Sequence, residues 1–259
     1  MSLGGADGEP MELASPGFSV YLTACWPDPK RFAEITHAVE PCVDYLEIGL
    51  PSKKPLYDGP VIRRTHHEVV RQGIDVEDAL ESIKGLGLTK PFILMGYLHE
   101  HYDRLESLIF DVASVGALSV LFPDLPFEYP SLIQRYVRVV REAGLRPSFF
   151  ASPRFPHAML REYASMDPLL IYLGLQPATG VRLPSRMLDN IRIARSIIGD
   201  VYLLAGFSIR SSRDAVAVIR AGASGVVVGS GLVKAYLDGG IEGAVRLACN
   251  IREAVGNAS

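Results

Sequence analysis

From residue 18 onward, two kinds of segment alternate along the chain. One kind is short, apolar and rich in branched or aromatic residues, which is typical of buried strands. The pattern predicts eight of these strands, at residues 18–24, 45–50, 92–97, 118–123, 147–152, 169–175, 201–207 and 226–229.

The segments between the strands carry apolar residues at helical spacing. In one of them Phe32, Ile35 and Val39 fall on the same side of a helix. Helices are predicted at residues 29–39, 129–143, 186–198 and 212–221, with Asp28 as the N-cap of the first and Ser211 or Ser212 as the N-cap of the last. Four glycines are expected to end helices, because a C-cap favours the left-handed conformation: Gly116, Gly144, Gly199 and Gly222.

Repeated alternation of strands and helices favours a parallel sheet, because parallel neighbours need a crossover between them. An open sheet of this kind normally carries a glycine-rich phosphate loop after its first strand. Here residues 24–29 read ACWPDP, without a glycine, and the glycine-rich strand ends follow strands seven and eight, where barrels bind phosphate. We therefore predict an α/β fold, a single-domain (β/α)8 TIM barrel over residues 17–259, preceded by a flexible leader at 1–16.

Composition limits the class of function. The 259 residues suit one α/β barrel. A net charge of −3 gives no basic field for nucleic acid. Apolar runs are too short to span a bilayer, and the leader lacks the basic start and apolar core of a secretory signal. We expect a cytoplasmic protein that binds neither nucleic acid nor membrane.

The cysteines and histidines suggest no metal site. Cys25, Cys42 and Cys249 are odd in number, widely spaced and without a CxxC motif, which fits a reducing compartment and argues against a disulfide scaffold or a zinc finger. Residues 99–101 read HEH, but no further ligand cluster accompanies them. The remaining conspicuous residues are assigned structural roles: His66 and His67 to a surface helix, and Trp26 to packing or an interface.

Strand two contains the first candidate for chemistry. It reads YLEIGLP at residues 45–51, so Leu46, Ile48 and Leu50 form an apolar row on one face. Glu47 then points into the barrel, where burial raises the pKa of a carboxyl and suits it to carry a proton near neutral pH. The alternative is a structural glutamate that is bonded to a buried cation or to the backbone.

A second carboxylate follows in the loop after strand two. Asp58 lies just before a helix that starts near Gly59 and Pro60. An N-cap is one interpretation of Asp58, since proline is favoured in the first helical turn. The other is catalytic, because two carboxylates in different environments at the mouth of a barrel can divide acid and base roles.

Three loops indicate a phosphate site. They follow strands six, seven and eight and contain the sequences ATG at 178–180, GFSI at 206–209 and GSG at 229–231. Glycines let backbone N–H groups approach an oxyanion, and a helix N-terminus adds a favourable dipole. Each loop alone also fits an ordinary turn, but the three together at the last strands favour a phosphorylated ligand.

The motifs together resemble those of the tryptophan synthase alpha subunit family. The resemblance is carried above all by YLEIGLP at 45–51 and PLYDGPVI at 55–62, and it continues to the end of the chain. Further matching segments are YLTA at 21–24, LM at 94–95, PDLP at 123–126, TG at 179–180, GFSI at 206–209 and VGSGLVK at 228–234.

The resemblance implies a (β/α)8 barrel that cleaves indole-3-glycerol phosphate to indole and glyceraldehyde 3-phosphate. It implies no cofactor and no metal in this chain, and a tryptophan synthase beta subunit, holding pyridoxal phosphate, as partner in an alpha2beta2 heterotetramer. Glu47 would protonate indole C3 and deprotonate the C3' hydroxyl, and Asp58 would interact with the indole N–H. Thr179 would orient the loop that carries Asp58.

The resemblance also assigns the substrate-binding residues. The donors to the phosphate would be Gly180, Ser208, Gly229 and Ser230. The apolar slot for the indole ring would be formed by Tyr21, Leu94, Leu121, Ile171 and Phe207. A tyrosine is common in the family at the position of Ile171; here Tyr172 is adjacent and is expected to face the other way.

The chain departs from the family pattern at residues 52–54, where Lys53 and Lys54 replace a sequence that usually contains an acidic residue. The usual contacts with the beta subunit should therefore change. Two other functions stay open from the sequence. One is a non-catalytic regulatory barrel that activates a beta subunit, and the other is a different phosphate-binding barrel enzyme, such as a sugar-phosphate isomerase.

Overall fold

The computed structural model describes residues 12–174, 186–206 and 209–258. Its strands form one parallel sheet in the order β4-β3-β2-β1-β8-β7-β6-β5. The strands are β1 Gly17–Thr23, β2 Tyr45–Gly49, β3 Phe92–Met95, β4 Ser119–Leu121, β5 Ser148–Ala151, β6 Leu170–Gly174, β7 Leu203–Gly206 and β8 Gly225–Val228. Every predicted strand is present, and the predicted (β/α)8 barrel is confirmed.

Helices alternate with the strands and surround them. They are α1 Pro29–Val39, α2 Pro60–Arg71, α3 Val76–Leu86, α4 Leu105–Ser114, α5 Leu125–Glu128, α6 Ile133–Glu142, α7 His157–Ala164, α8 Arg186–Ile198, α9 Ser212–Arg220 and α10 Ser230–Gly256. α10 is interrupted by non-helical backbone at Gly239 and Gly240. Across the described ranges, no helix is long and apolar enough to cross a membrane.

The predicted helix ends are present. The Asp28 side chain accepts the N–H of Arg31 at 2.9 Å, and Ser211 Oγ accepts the N–H of Asp214 at 3.2 Å. Both bonds satisfy N–H groups that a helix leaves without partners. The four predicted helix-ending glycines all have positive φ: Gly116 at 87°, Gly144 at 78°, Gly199 at 63° and Gly222 at 110°.

A tyrosine hydroxyl joins the two ends of the sheet, β4 and β5. Tyr136 of α6 is fully buried, and its Oη lies 2.6 Å from the carbonyl oxygen of Val120 and accepts the N–H of Ser148 at 2.9 Å. The hydroxyls of Ser119 and Ser148 are also 2.7 Å apart. One phenol thus satisfies strand-edge groups from both β4 and β5 and closes the barrel.

Replacing Tyr136 with phenylalanine should destabilise the fold. The change leaves a buried N–H and a buried carbonyl without their partner, which costs about 1–3 kcal/mol. The free energy of unfolding, measured by urea denaturation, tests this. The control is Tyr163→Phe, because the Tyr163 ring stacks on Phe149 while its hydroxyl makes no hydrogen bond within the described ranges. An equal decrease in the free energy of unfolding in the two variants would contradict the role of Tyr136 at the junction of β4 and β5.

Two cysteines are bonded in the fold, which corrects the inference from cysteine spacing. Cys42 and Cys249 form a disulfide between Cα atoms 4.6 Å apart, although 207 positions separate them in sequence. Cys42 ends the short helical turn Glu40–Cys42, and Cys249 lies on α10, which packs beside that turn. Cys25 is free and buried. Distance along the chain therefore concealed proximity in space.

Candidate active site

Glu47 lies in the middle of β2, in register with Tyr21 of β1 and Ile93 of β3. Its side chain has no solvent exposure, and within the described part of the chain neither carboxyl oxygen has a hydrogen-bond partner. Burial, and then the nearby charge of Asp58, raises the pKa of Glu47 well above its usual range. Inside the barrel the surroundings therefore favour the protonated form of this carboxyl, which within the described part of the chain is bonded to neither a cation nor the backbone.

Asp58 follows β2 in the loop that leads to α2. Its Oδ2 accepts a 2.8 Å hydrogen bond from Tyr97 Oη, and that hydroxyl oxygen in turn accepts the N–H of Tyr57 at 3.1 Å. Gly59, not Asp58, is the N-cap residue of α2, so the capping interpretation of Asp58 does not hold. Burial raises the pKa of Asp58 to about 6, although the Tyr97 hydrogen bond and Arg63 act in the opposite direction.

The inner and outer faces of the strands follow from their contacts. Phe149 of β5 stacks on Tyr163 of α7 with ring centroids 4.4 Å apart, so it faces the helices. On β2 the inner face includes Gly49, where a Cβ would lie only 1.9 Å from Tyr21 Oη. Since alternate residues of a strand share a face, Glu47 is on the inner face as well.

The register places Leu94 on the outer face. Leu94 pairs with Ile48, the outward neighbour of Glu47 on β2. Met95 occupies the inner position instead and pairs with Leu121 of β4, which also faces inward. The prediction that Leu94 lines the slot is therefore corrected to Met95. The reason is that all four residues of β3 are apolar, so the strand carries no sign of which face is inside.

The same correction applies on β6. Ile171 pairs with the outward-facing Phe149, whereas Tyr172 pairs with Phe150, with ring centroids 5.5 Å apart. A Cβ at Gly206 would lie 1.9 Å from Tyr172 Oη, so this tyrosine reaches across the interior face of β7. Ile171 thus packs under the helices, and Tyr172 lines the barrel in its place, contrary to the prediction.

Tyr172 lies close to both carboxylates. Burial raises its pKa well above the usual range, and the charges of Glu47 and Asp58 add to the shift. The same two charges act on Tyr21, whose pKa burial also raises. The inner wall near Glu47 is therefore made of two phenol rings together with Met95 and Leu121, a largely apolar surface with polar hydroxyl groups.

The end of β8 places backbone N–H groups where they could hold an anion. α10 begins at Ser230, directly after Gly229, so its free N–H groups lie at the carboxyl end of the barrel. A Cβ at Gly229 would lie 3.3 Å from Tyr21 Cβ, which places this turn beside the inner wall. The other proposed phosphate and slot residues lie outside the described ranges: Thr179, Gly180, Phe207 and Ser208.

His66 is buried, whereas the sequence predicted a surface position for it. Its side chain is 1% exposed, not on the surface, and its Nε2 lies 2.9 Å from Tyr21 Oη and 3.7 Å from Asp58 Oδ2. The signal was present in the helical spacing, because Ile62, His66 and Val69 share one buried face of α2. His67, the next residue, is exposed.

Trp26 and His99, the other conspicuous residues of the sequence, make contacts that stabilise the fold. Trp26 is buried, packs on Tyr236 with ring centroids 5.4 Å apart and donates to Glu68 at 2.7 Å. His99 of the HEH sequence contacts Asp124 at 3.2 Å. Within the described residues, no group of three or more His, Cys, Asp or Glu side chains could hold a metal ion.

Comparisons with known proteins agree on one family. A family model described as tryptophan synthase alpha chain matches residues 11–255. The tryptophan synthase alpha chain of Saccharolobus solfataricus is 31% identical over 235 residues, covering 90% of this chain and 94% of that protein. A structure of a mutant tryptophan synthase alpha subunit from the hyperthermophile Pyrococcus furiosus superposes with a TM-score of 0.83 at 26% identity, covering 94% of this chain and 99% of that one.

Proposed function

The chain belongs to the tryptophan synthase alpha chain family, a family of lyases, and from this premise we propose that it cleaves indole-3-glycerol phosphate to indole and glyceraldehyde 3-phosphate. The observation that carries the proposal is Glu47, a buried carboxyl with no hydrogen-bond partner in the described part of the chain and with Asp58 nearby. An unpaired buried carboxyl is costly for stability, so a role in proton transfer accounts for it.

The cleavage needs two proton transfers, one to indole C3 and one from the hydroxyl group on C3'. In our proposal, Glu47 donates its proton to indole C3, which turns the ring into an indoleninium cation and makes it a leaving group. The resulting Glu47 carboxylate then takes the proton of the C3' hydroxyl while the C3–C3' bond breaks. The electrons of that bond return to the indole ring, the aldehyde forms at C3', and Glu47 is protonated again.

Asp58 has the complementary role in this scheme. When C3 is protonated, positive charge develops at N1 of the indole ring. An ionised Asp58 facing N1 stabilises that charge most strongly in the intermediate, which is how a fixed charge lowers a barrier. The Tyr97 hydrogen bond to Oδ2 favours the ionised form and fixes the direction of the carboxylate.

Substrate binding follows from the same geometry. We propose that the indole ring lies against Tyr21, Met95, Leu121 and Tyr172, and that backbone N–H groups of Gly229 and Ser230 bind the phosphate. Thr179, Gly180, Phe207 and Ser208 are proposed to complete the site, on the family resemblance alone. No cofactor takes part in this scheme, and pyridoxal phosphate would belong to the partner.

We also propose a tryptophan synthase beta subunit as partner, in an alpha2beta2 assembly. Three large apolar side chains are exposed in the segments that follow β2, β3 and β4 at the carboxyl end of the barrel: Leu56 at 48%, Tyr102 at 46% and Phe127 at 37%. Large apolar side chains exposed at one end of a barrel are consistent with a protein interface. The exposed Lys53 lies on the same loop as Leu56 and would face the partner.

The pH dependence of kcat/KM should have two limbs. Asp58 must be ionised, and its pKa of about 6 predicts an activity that rises with pH through this value. Glu47 must be protonated, so activity should fall as pH rises through the raised pKa of Glu47. Since the carboxyls interact, both limbs belong to the pair.

The measurement is indole release at low substrate concentration by the purified chain, across about four pH units around neutrality. Addition of a beta subunit in a parallel series separates catalysis by this chain from activation of a partner. Activity that is highest in acid, where Asp58 is neutral, would contradict the assignment of Asp58.

A further inference from the structure

A buried histidine connects the loop that carries Asp58 to the interior of the barrel. His66 Nδ1 accepts the backbone N–H of Ser52 at 3.2 Å. On the opposite side of the ring, Nε2 lies 2.9 Å from Tyr21 Oη. Ser52 begins the loop between β2 and α2, whereas Tyr21 belongs to β1 beside Glu47. The imidazole thus spans the gap between a loop and a strand.

The hydrogen bonds determine the protonation state of His66. A backbone N–H can only donate, so Nδ1 must be an acceptor and the proton of the neutral ring is on Nε2. Burial lowers the pKa of His66 to about 3, which keeps the ring neutral at physiological pH. Nε2–H therefore donates to Tyr21 Oη, with Asp58 Oδ2 3.7 Å away.

Other side chains hold the remainder of this loop. The carboxylate of Glu100 accepts three hydrogen bonds from the start of the loop. The donors are the Ser52 hydroxyl at 2.6 Å, the N–H of Lys53 at 3.2 Å and the N–H of Lys54 at 2.9 Å. Near the end of the loop that precedes α2, the Tyr97 hydroxyl accepts a hydrogen bond from the N–H of Tyr57, as described above. Glu100 and Tyr97 both come from the segment after β3, so among these contacts His66 alone ties the loop to β1.

We propose that His66 is a positioning residue for the cleavage: as a neutral imidazole it tethers Ser52 to Tyr21 and so holds Asp58 opposite Glu47 before substrate binds. The proposal rests on the function proposed above. His66 acts through the loop and through Tyr21 and does not itself take part in proton transfer to substrate.

Three variants of His66 separate its two hydrogen bonds. Leucine removes both, asparagine keeps an acceptor near Nδ1 for Ser52, and glutamine keeps a donor near Nε2 for Tyr21. The matched control is His67→Leu, because His67 is the exposed neighbour on the same helix. Each variant is measured for kcat and KM with indole-3-glycerol phosphate, for exchange of the Ser52 amide, and for thermal unfolding.

We expect His66→Leu to lower kcat by about 10²-fold with a much smaller change in KM, because a small misplacement of a catalytic group acts on the chemical step. The Ser52 amide should exchange faster, while His66→Asn restores its protection and part of kcat. His67→Leu should match the wild type in all three measurements.

The acid limb of kcat/KM gives a readout that loss of stability alone would not move. The titratable and charged groups around Asp58 are Tyr97 from the segment after β3, Arg63 and His66 from α2, and Glu47, Tyr21 and Tyr172 from the barrel wall. If the loop loosens in His66→Leu, Asp58 gains water and its pKa falls, so the limb should shift to lower pH.

Different results would contradict the proposed lyase function and the proposed role of His66. If the wild-type chain releases no indole, the proposed function is wrong, and the Ser52 exchange in His66→Leu against His67→Leu still decides whether the tether exists. Wild-type kcat and an unshifted acid limb in His66→Leu would overturn the positioning role. If that variant does not fold, the asparagine and glutamine variants decide by the same criteria.

Discussion

Replacing Glu47 with glutamine is expected to lower indole release by at least about 10³-fold while the barrel stays folded. Glutamine has the size of glutamate but can neither donate a proton to C3 nor accept one from the C3' hydroxyl, and general acid–base help is worth about 10²–10⁴-fold for a single group. The loss should appear mainly in kcat, because the apolar wall that we propose binds the ring is unchanged.

The same change should stabilise the protein at pH values above the raised pKa of Glu47. Burial raises the pKa of Glu47, so the fold favours its protonated form and loses stability as pH rises through that raised value. Glutamine is neutral at every pH and removes this loss. The control is Glu81→Gln on α3, where the side chain is exposed and activity should not change. A rate of indole release near that of the wild type in Glu47→Gln would contradict the proposed mechanism.

Replacing Asp58 with asparagine is expected to reduce kcat by about 10²–10³-fold, close to what the loss of one preorganised electrostatic partner costs in other enzymes. Asparagine keeps an oxygen that can accept the Tyr97 hydrogen bond, so the loop should stay in place. What disappears is the negative charge that we propose faces N1. The acid limb of kcat/KM near pH 6 should disappear with it.

Stability should move in the opposite direction from activity in this variant. The ordinary pKa of 3.8 is raised to about 6 in the fold, so the contribution of Asp58 to stability is complete below about pH 3.8 and is lost as pH rises through about 6. At about pH 8, asparagine should therefore raise the free energy of unfolding by about 1–3 kcal/mol. Denaturation at about pH 5 and about pH 8 checks this, and an equal change at both pH values would contradict it.

A single carboxylate pair thus accounts for both expected losses of activity and both expected gains of stability. Neither Glu47 nor Asp58 has a structural explanation of the usual kind, because Glu47 has no partner within the described ranges and Asp58 caps no helix there. Such groups persist where catalysis needs a proton carrier or a fixed charge at the expense of stability.

Much of this site could be predicted from the sequence. The alternation of YLEIGLP makes Leu46 and Ile48 the outer row and Glu47 the inner residue, because two adjacent side chains of a strand cannot share a face. Asp58 then follows at the carboxyl end of the same strand, where barrel enzymes place their catalytic loops. The family resemblance, confirmed by the comparisons, added the reaction.

What the sequence could not determine was the inner face of strands that are apolar throughout. In β3 and β6 every position fits a buried surface, so Leu94 and Ile171 were assigned to the interior, and only the register with neighbouring strands showed that Met95 and Tyr172 face inward. Periodicity gives relative positions along one strand, whereas register depends on pairing between strands.

Contacts between distant segments were equally beyond local pattern. The sequence by itself determined the eight strands, the barrel and the inward carboxyl, because these follow from spacing within short segments. The Cys42–Cys249 bond, the Tyr136 seam between β4 and β5 and the burial of His66 depend on residues far apart in the chain. Only the tertiary structure decided them, because closing the barrel is what brings those residues together.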